Sequence, residues 1–203
     1  MSEKTIQEIE AVFGERAAGI LDAFYDAKDE ISRQIESVEG PHADILTDRQ
    51  RAEIANTQKA ERAGAKAEEY RREYQALMEE RNEAVRTRRR ALRKQLFGVQ
   101  DADALSRAAL ASDAELGAML ELAIHADNAE LGRAVFTAAE QRDLGDLMNR
   151  YFERMNPEAC ALYQEFRAAP SEEDLKRRLA DAETIFAAPD ASYYYFAPAF
   201  GRL

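Results

Sequence analysis

The sequence predicts an all-α chain, and three observations predict it. Alanine, glutamate, arginine and leucine dominate the 203 residues, glycine and proline are few at 9 and 5, and no long Val/Ile/Thr run suggests a strand. A chain of this length holds one ordinary core, or a small domain joined to an extended element. The apolar pattern favours the second, with a helical hairpin over residues 1–97, a bundle of short helices over 98–188 and an aromatic tail over 189–203.

Residues 3–38 form the first expected helix. Ile6, Phe13, Ile20 and Ala27 recur every seven residues, and Ala17, Phe24, Ile31 and Val38 fill the complementary heptad position, which makes a packing seam. Gly14 and Gly19 weaken it slightly. Gly40 and Pro41 end the run, since glycine accepts a left-handed cap and proline starts a new helix but cannot continue the old one. Mirroring the chain about residue 40 sets Ile6 opposite residue 74.

From about His42 to Phe97 there is no proline and one glycine, Gly64, so a single long helix is expected. Its apolar positions, ending in Val85, Leu92 and Leu96, follow an eleven-residue spacing that Arg81 and Arg89 interrupt. Near its end, Arg86, Arg89, Arg90, Arg93 and Lys94 share one arc beside Leu92 and Leu96, while Arg88 points elsewhere. A basic face next to an apolar strip must dock on the C-terminal domain, on another subunit or on a different partner.

After Gly98 the helices shorten. Starts are expected at Asp101 or Asp103, Ser112, Asn128, Asn156 and Ser171, the last with Asp174 in a capping-box pattern. DAELG at 113 and NAELG at 128 predict two similar, stacked helices. The expected core is Leu116, Leu120, Leu131, Val135, Phe136, Leu144, Leu147, Tyr151, Phe152, Leu162 and Phe166. The tail carries Tyr193, Tyr194, Tyr195, Phe196 and Phe200, which are costly to leave in water. They either fold back on their own chain or anchor in a neighbouring subunit.

Charge is unevenly spread. The total is −11, with −6 over residues 1–40, +4 over 41–97 and −9 over 98–203. Pairing of the basic middle with acidic surfaces, including those of another copy, is therefore preferred over an outside polyanion.

Enzyme chemistry is poorly represented. Cys160 is the single cysteine, which excludes an internal disulfide framework and a cysteine-built zinc site, fits a reducing compartment and has no histidine or lysine nearby in sequence. Glu121 and His125 lack the Glu-x-x-His pairs of carboxylate-bridged metal bundles, and His42 belongs to a helix start. Phosphate-binding glycine loops and a nucleophile elbow are missing. Neither catalytic residues nor a cofactor are expected. MSEKTIQEIE lacks the order of a secretory signal, and no long uncharged apolar run predicts a membrane contact, so a cytoplasmic or virion location is expected.

The stretch ELGRAVFTAAEQRDLGDLMNRYFERMNPEACALYQEF, residues 130–166, resembles small helical proteins encoded among the virion structural genes of tailed bacteriophages. Those sequences have an Ala-rich helix, a short turn and an apolar-Asn-x-Tyr helix followed by proline; Leu147, Asn149, Tyr151 and Pro157 match, while DLGD replaces the usual aromatic at the turn. The resemblance spans less than a fifth of the chain and implies a structural or assembly role without catalytic residues. The combined expectation is a non-enzymatic assembly protein, a virion connector, accessory or scaffolding component, that docks through Arg86, Arg89, Arg90, Leu92, Arg93, Lys94, Leu96 and the five tail aromatics. The alternative is a nucleic-acid-associated helical protein that uses the same basic face.

Overall fold

A computed structural model of the chain describes residues 4–34 and 47–186. The described residues form eight helices and no strand: α1 (Ile6–Gln34), α2 (Asp48–Phe97), α3 (Ala102–Leu110), α4 (Asp113–His125), α5 (Ala129–Gln141), α6 (Gly145–Arg154), α7 (Pro157–Ala168) and α8 (Glu172–Ile185). None is long and apolar enough to cross a membrane.

Local chemistry explains most helix starts. Thr5 and Glu8 cap α1 reciprocally, with the Thr5 N–H donating to Glu8 Oε2 at 2.7 Å and the Glu8 N–H to Thr5 Oγ1 at 3.2 Å. Thr47 and Gln50 repeat the arrangement at α2, which is described from Asp48 on, while the start expected near His42 lies outside the described residues. Asp101, Ser112, Asn128 and Asn156 accept from first-turn N–H groups as their residue types predict, and Ser171 pairs reciprocally with Asp174. Only α6 begins without a side-chain cap among these short helices, at Leu144.

Two helix ends use aspartate where glycine is usual. Asp127 and Asp143 take φ of 48° and 56°. After α4 the Asn128 N–H donates to the Ala123 carbonyl and the Asp127 N–H to that of Ile124; after α5 the Leu144 N–H donates to Ala139 and the Asp143 N–H to Glu140. Each is a Schellman ending that satisfies otherwise orphaned carbonyls.

The chain divides into two compact units. The first takes Met1–Glu8 and Glu83–Pro170; the second takes Ile9–Asn82 and the residues from Ser171 on. The division differs from the expected boundary at residue 97, because the last turns of α2 carry apolar residues that pack with the short helices.

In the first unit the core is Leu96 of α2 with Leu116, Leu120, Leu131, Val135, Phe136, Leu147, Tyr151 and Phe152, and Leu144, Leu162 and Phe166 pack partly buried against it. Phe136 is the hub, stacked on Phe97 at 5.5 Å and on Tyr151 at 4.9 Å between ring centroids. Alanines 104, 108, 123, 134, 138 and 139 fill the helix contacts and let the backbones approach closely. Gly132 does the same where α5 meets α6, since a Cβ there would lie 2.5 Å from Met155 Sδ.

In the second unit Ala17, Tyr74, Leu77, Met78 and Phe186 are buried, with Phe13, Ile20, Phe24 and Tyr70 against them. Of the heptad positions of α1, Phe13, Ala17, Ile20 and Phe24 thus line this core, and Val38 lies outside the described residues. The register differs from the mirror estimate, for Phe13 rather than Ile6 meets Tyr74, at 6.2 Å between centroids. The Gly40-Pro41 turn lies outside the described residues.

Candidate partner-binding surface

The basic segment sits on the part of α2 that belongs to the first unit. Its inward line is Val85, Leu92 and Leu96, which are 0, 0 and 3% exposed. Leu92 and Leu96, expected to offer apolar area to a partner, are therefore buried and do not offer it. Leu96 packs in the core of the short helices, one of the three occupants that the sequence left open.

The arginines divide in the same way. Arg88 points away from the arc, as helical spacing requires, and its fork closes on Glu165 of α7, with Nε donating at 2.9 Å and Nη2 at 2.8 Å. The two side chains are 11 and 16% exposed. Glu165 also accepts from the Ile6 N–H at 2.9 Å. The Arg88 guanidinium, helped by that N–H, holds the Glu165 carboxyl below the ordinary carboxylate range against the opposing effect of burial.

Arg89 also turns inward. Its Nη1 donates to the Pro170 carbonyl at 3.1 Å, and the guanidinium lies 5.5 Å from the Phe166 ring centroid. An arginine in an apolar line is accommodated here by a ring face and a carbonyl at the end of α7, so Arg89 belongs to the packing rather than to an open basic face.

What faces outward is smaller than the sequence suggests. Arg90 and Arg86 both reach Glu83, at 2.7 and 3.9 Å. The Arg90 and Glu83 side chains are more than half exposed, so that pair contributes little to stability and leaves the cation accessible. Arg93 and Lys94 are exposed, and their side chains make no ion pair with any described residue. Their helix end is held firmly, because the Gly98 N–H donates to the Lys94 carbonyl at 3.0 Å and a Cβ at Gly98 would collide with that same oxygen. Tyr193, Tyr194, Tyr195, Phe196 and Phe200 lie outside the described residues.

The residues weighed for chemistry are tied up locally. Glu121 pairs with Arg150 and with Arg154, which keep its carboxyl below the usual range. His125 Nδ1 donates to the Glu121 carbonyl at 2.8 Å. Cys160 packs partly buried against the first core, with Gln164 Nε2 at 3.7 Å from its sulfur. Among the described residues, no group of three His, Cys, Asp or Glu side chains could hold a metal ion.

Two surface features escaped the sequence reading. Leu110 and Leu122 are 88 and 61% exposed, and Leu110 borders an open groove of about 490 Å³ beside Ala118 and Met119. Helix α4 is apolar on more than its buried face, a pattern that was legible in DAELGAMLELAIH. The Arg88–Glu165 pair had no such signal, since nothing local in QEF singles out Glu165. Set against known proteins, the chain matches no family model, no curated protein and no solved structure.

Proposed function

We propose that the chain is a non-enzymatic assembly protein that docks through the exposed end of α2, with Arg90, Arg93 and Lys94 meeting carboxylates on an acidic protein surface. The observation that carries this reading is the pair Arg93 and Lys94, exposed and without ion-pair partners among the described residues, on a helix end immobilised by its own core. A fixed cationic ledge of this kind loses little side-chain order on binding and favours an acidic partner. The chain's own charge of −11 supplies one such surface, so a second copy is the first partner proposed. The hairpin reading of α1 and α2 belongs to this proposal and is supported by Phe13 on Tyr74 and Phe24 on Tyr70. The setting proposed, a phage virion connector, accessory or scaffolding component, rests on the resemblance over residues 130–166.

The test is solution mass by light scattering at low salt and at about 0.5 M salt, where screening shortens the reach of surface charges to a few Å. Wild type is expected to form a defined multimer that dissociates with salt, and Arg90→Glu/Arg93→Glu/Lys94→Glu is expected to be monomeric with an unchanged helical spectrum. A mass that ignores both salt and substitution overturns self-docking. Retention of duplex DNA by wild type but not by the variant would move the reading to nucleic acid.

A further inference from the structure

Among the described residues, the second unit has one flank covered and one open. On one side of the α1 and α2 pair lies α8, where Arg178 reaches Glu10 at 3.7 Å and Asn82 Nδ2 lies 3.5 Å from the Leu175 carbonyl. On the other side runs a groove of about 410 Å³ with Ile20, Ala23, Ala76 and Leu77 in its walls. At 100° per residue, Arg16, Ile20 and Ala23 of α1 lie on the opposite flank from Glu10, and Glu73, Ala76 and Glu80 of α2 lie opposite Asn82. The groove is apolar below and charged above, with Arg16 bridged to Glu80 at 3.0 Å on its rim. Its volume has room for about two aromatic rings, taking benzene in a 150 Å³ cavity as the guide.

The chain itself indicates what belongs there. Phe186, the last described residue, is buried in the same aromatic cluster: it touches Phe24 at 5.3 Å between centroids, Phe24 touches Tyr70 at 5.9 Å, and Tyr70 lines the groove. Phe186 ends the described residues on the α8 side of this cluster, one aromatic contact away from the groove-lining Tyr70. Tyr193 follows seven positions later, a span of up to roughly 24 Å at about 3.4 Å per residue, while a helix is only about 10 Å across. After Asp190 the segment has no acidic side chain and one cation, Arg202, opposite a rim that carries Glu73 and Glu80 against Arg16. Tyrosines suit such a site, with rings for the floor and hydroxyls for the rim.

We propose that residues Tyr193–Phe200 dock in this groove of their own chain and close the open flank of the second unit. The inference rests on the second unit alone and is independent of the basic surface of α2.

Photo-crosslinking of the full chain tests it, with p-benzoylphenylalanine in place of Glu73 on the rim. An equal mixture of light and heavy isotope-labelled protein is irradiated, and the linked peptides are read by mass spectrometry. The expected product joins position 73 to a peptide within residues 190–203, in light–light and heavy–heavy forms only. Mixed light–heavy products would mean that the tail of a second copy fills the groove, and absence of tail products would mean that the groove serves something else; either overturns the proposal. Chymotrypsin provides the second reading: Ala76→Glu, at an exposed helical position, is expected to speed cleavage at Tyr193–Phe196 by about tenfold or more without changing the helical spectrum. Equal cleavage rates in wild type and variant overturn it as well.

Discussion

Arg88 and Glu165 offer the sharpest test of how the first unit is held together. Arg88→Met leaves a carboxylate that is 16% exposed with the Ile6 N–H as its remaining donor. Breaking a fully buried pair costs roughly 3–5 kcal/mol, so about 2–3 kcal/mol is expected at this partial exposure. Glu165→Leu should cost less, about 1–2 kcal/mol, because the arginine arm can swing its charge towards water. The double variant replaces the pair with apolar volume and should lie within about 1 kcal/mol of wild type, giving a coupling of about 3–5 kcal/mol. Urea unfolding followed by far-UV circular dichroism at neutral pH reads all four corners of the cycle. The pH dependence has a definite sign. The folded-state pKa of Glu165 is depressed, so its contribution is complete above the ordinary carboxylate pKa and is lost as pH falls through the lower folded value. The gap between wild type and Arg88→Met should therefore shrink on acidification. Strict additivity of the two substitutions, or a gap that does not change with pH, would refute the idea that this pair locks α2 to α7.

Four further substitutions follow from backbone geometry. Gly98→Ala should cost about 2 kcal/mol in the same unfolding assay, because the new methyl must displace the Lys94 carbonyl that closes α2. The two glycines of the Ala-Glu-Leu-Gly repeat should respond with opposite signs: Gly117→Ala has nothing within 4 Å of its Cβ and should gain about 1 kcal/mol, whereas Gly132→Ala meets Met155 and should lose about 1–2 kcal/mol. Asp143→Gly should raise stability by about 0.5–1 kcal/mol by relieving a left-handed aspartate, and an unchanged or lower midpoint would mean that the carboxylate supports the turn in another way.

Helix positions and most caps were legible in the sequence because they depend on neighbours within one turn. Asp101, Ser112, Asn128, Asn156 and Ser171 each act on N–H groups two or three residues away. The large core residues from Leu116 to Phe166 were legible too, since periodicity alone selects a buried face. The helix ends at Asp127 and Asp143 were not, because aspartate reads as a starting residue and its left-handed conformation is set by the chain that follows. The alanines of the first core were equally silent, since alanine suits a helix whether it is buried or exposed.

The interruptions of the apolar stripes carried more information than the stripes themselves. The α1 series Ala17, Phe24 and Ile31 extends backward by seven residues to Glu10, and the α2 series is broken by Arg81. In the second unit these two meet: Arg81, 3% exposed, forks onto Glu10, donates to Asn82 Oδ1 at 2.8 Å and lies over the Phe13 ring at 5.4 Å. Opposite charges at corresponding seam positions on two helices constrain their register, because a slide of one turn would strand both charges in an apolar seam. The contact locates α1 against α2 better than mirroring about a turn does, and it explains why Phe13 faces Tyr74. The same logic applies to Arg89 in the first unit, where the break in the stripe marks the place at which Phe166 and the Pro170 carbonyl receive it. An arginine inside an apolar repeat therefore points to a specific acceptor within the fold, whereas Arg90, Arg93 and Lys94, exposed and outside the repeat, are the cations that we propose address another molecule.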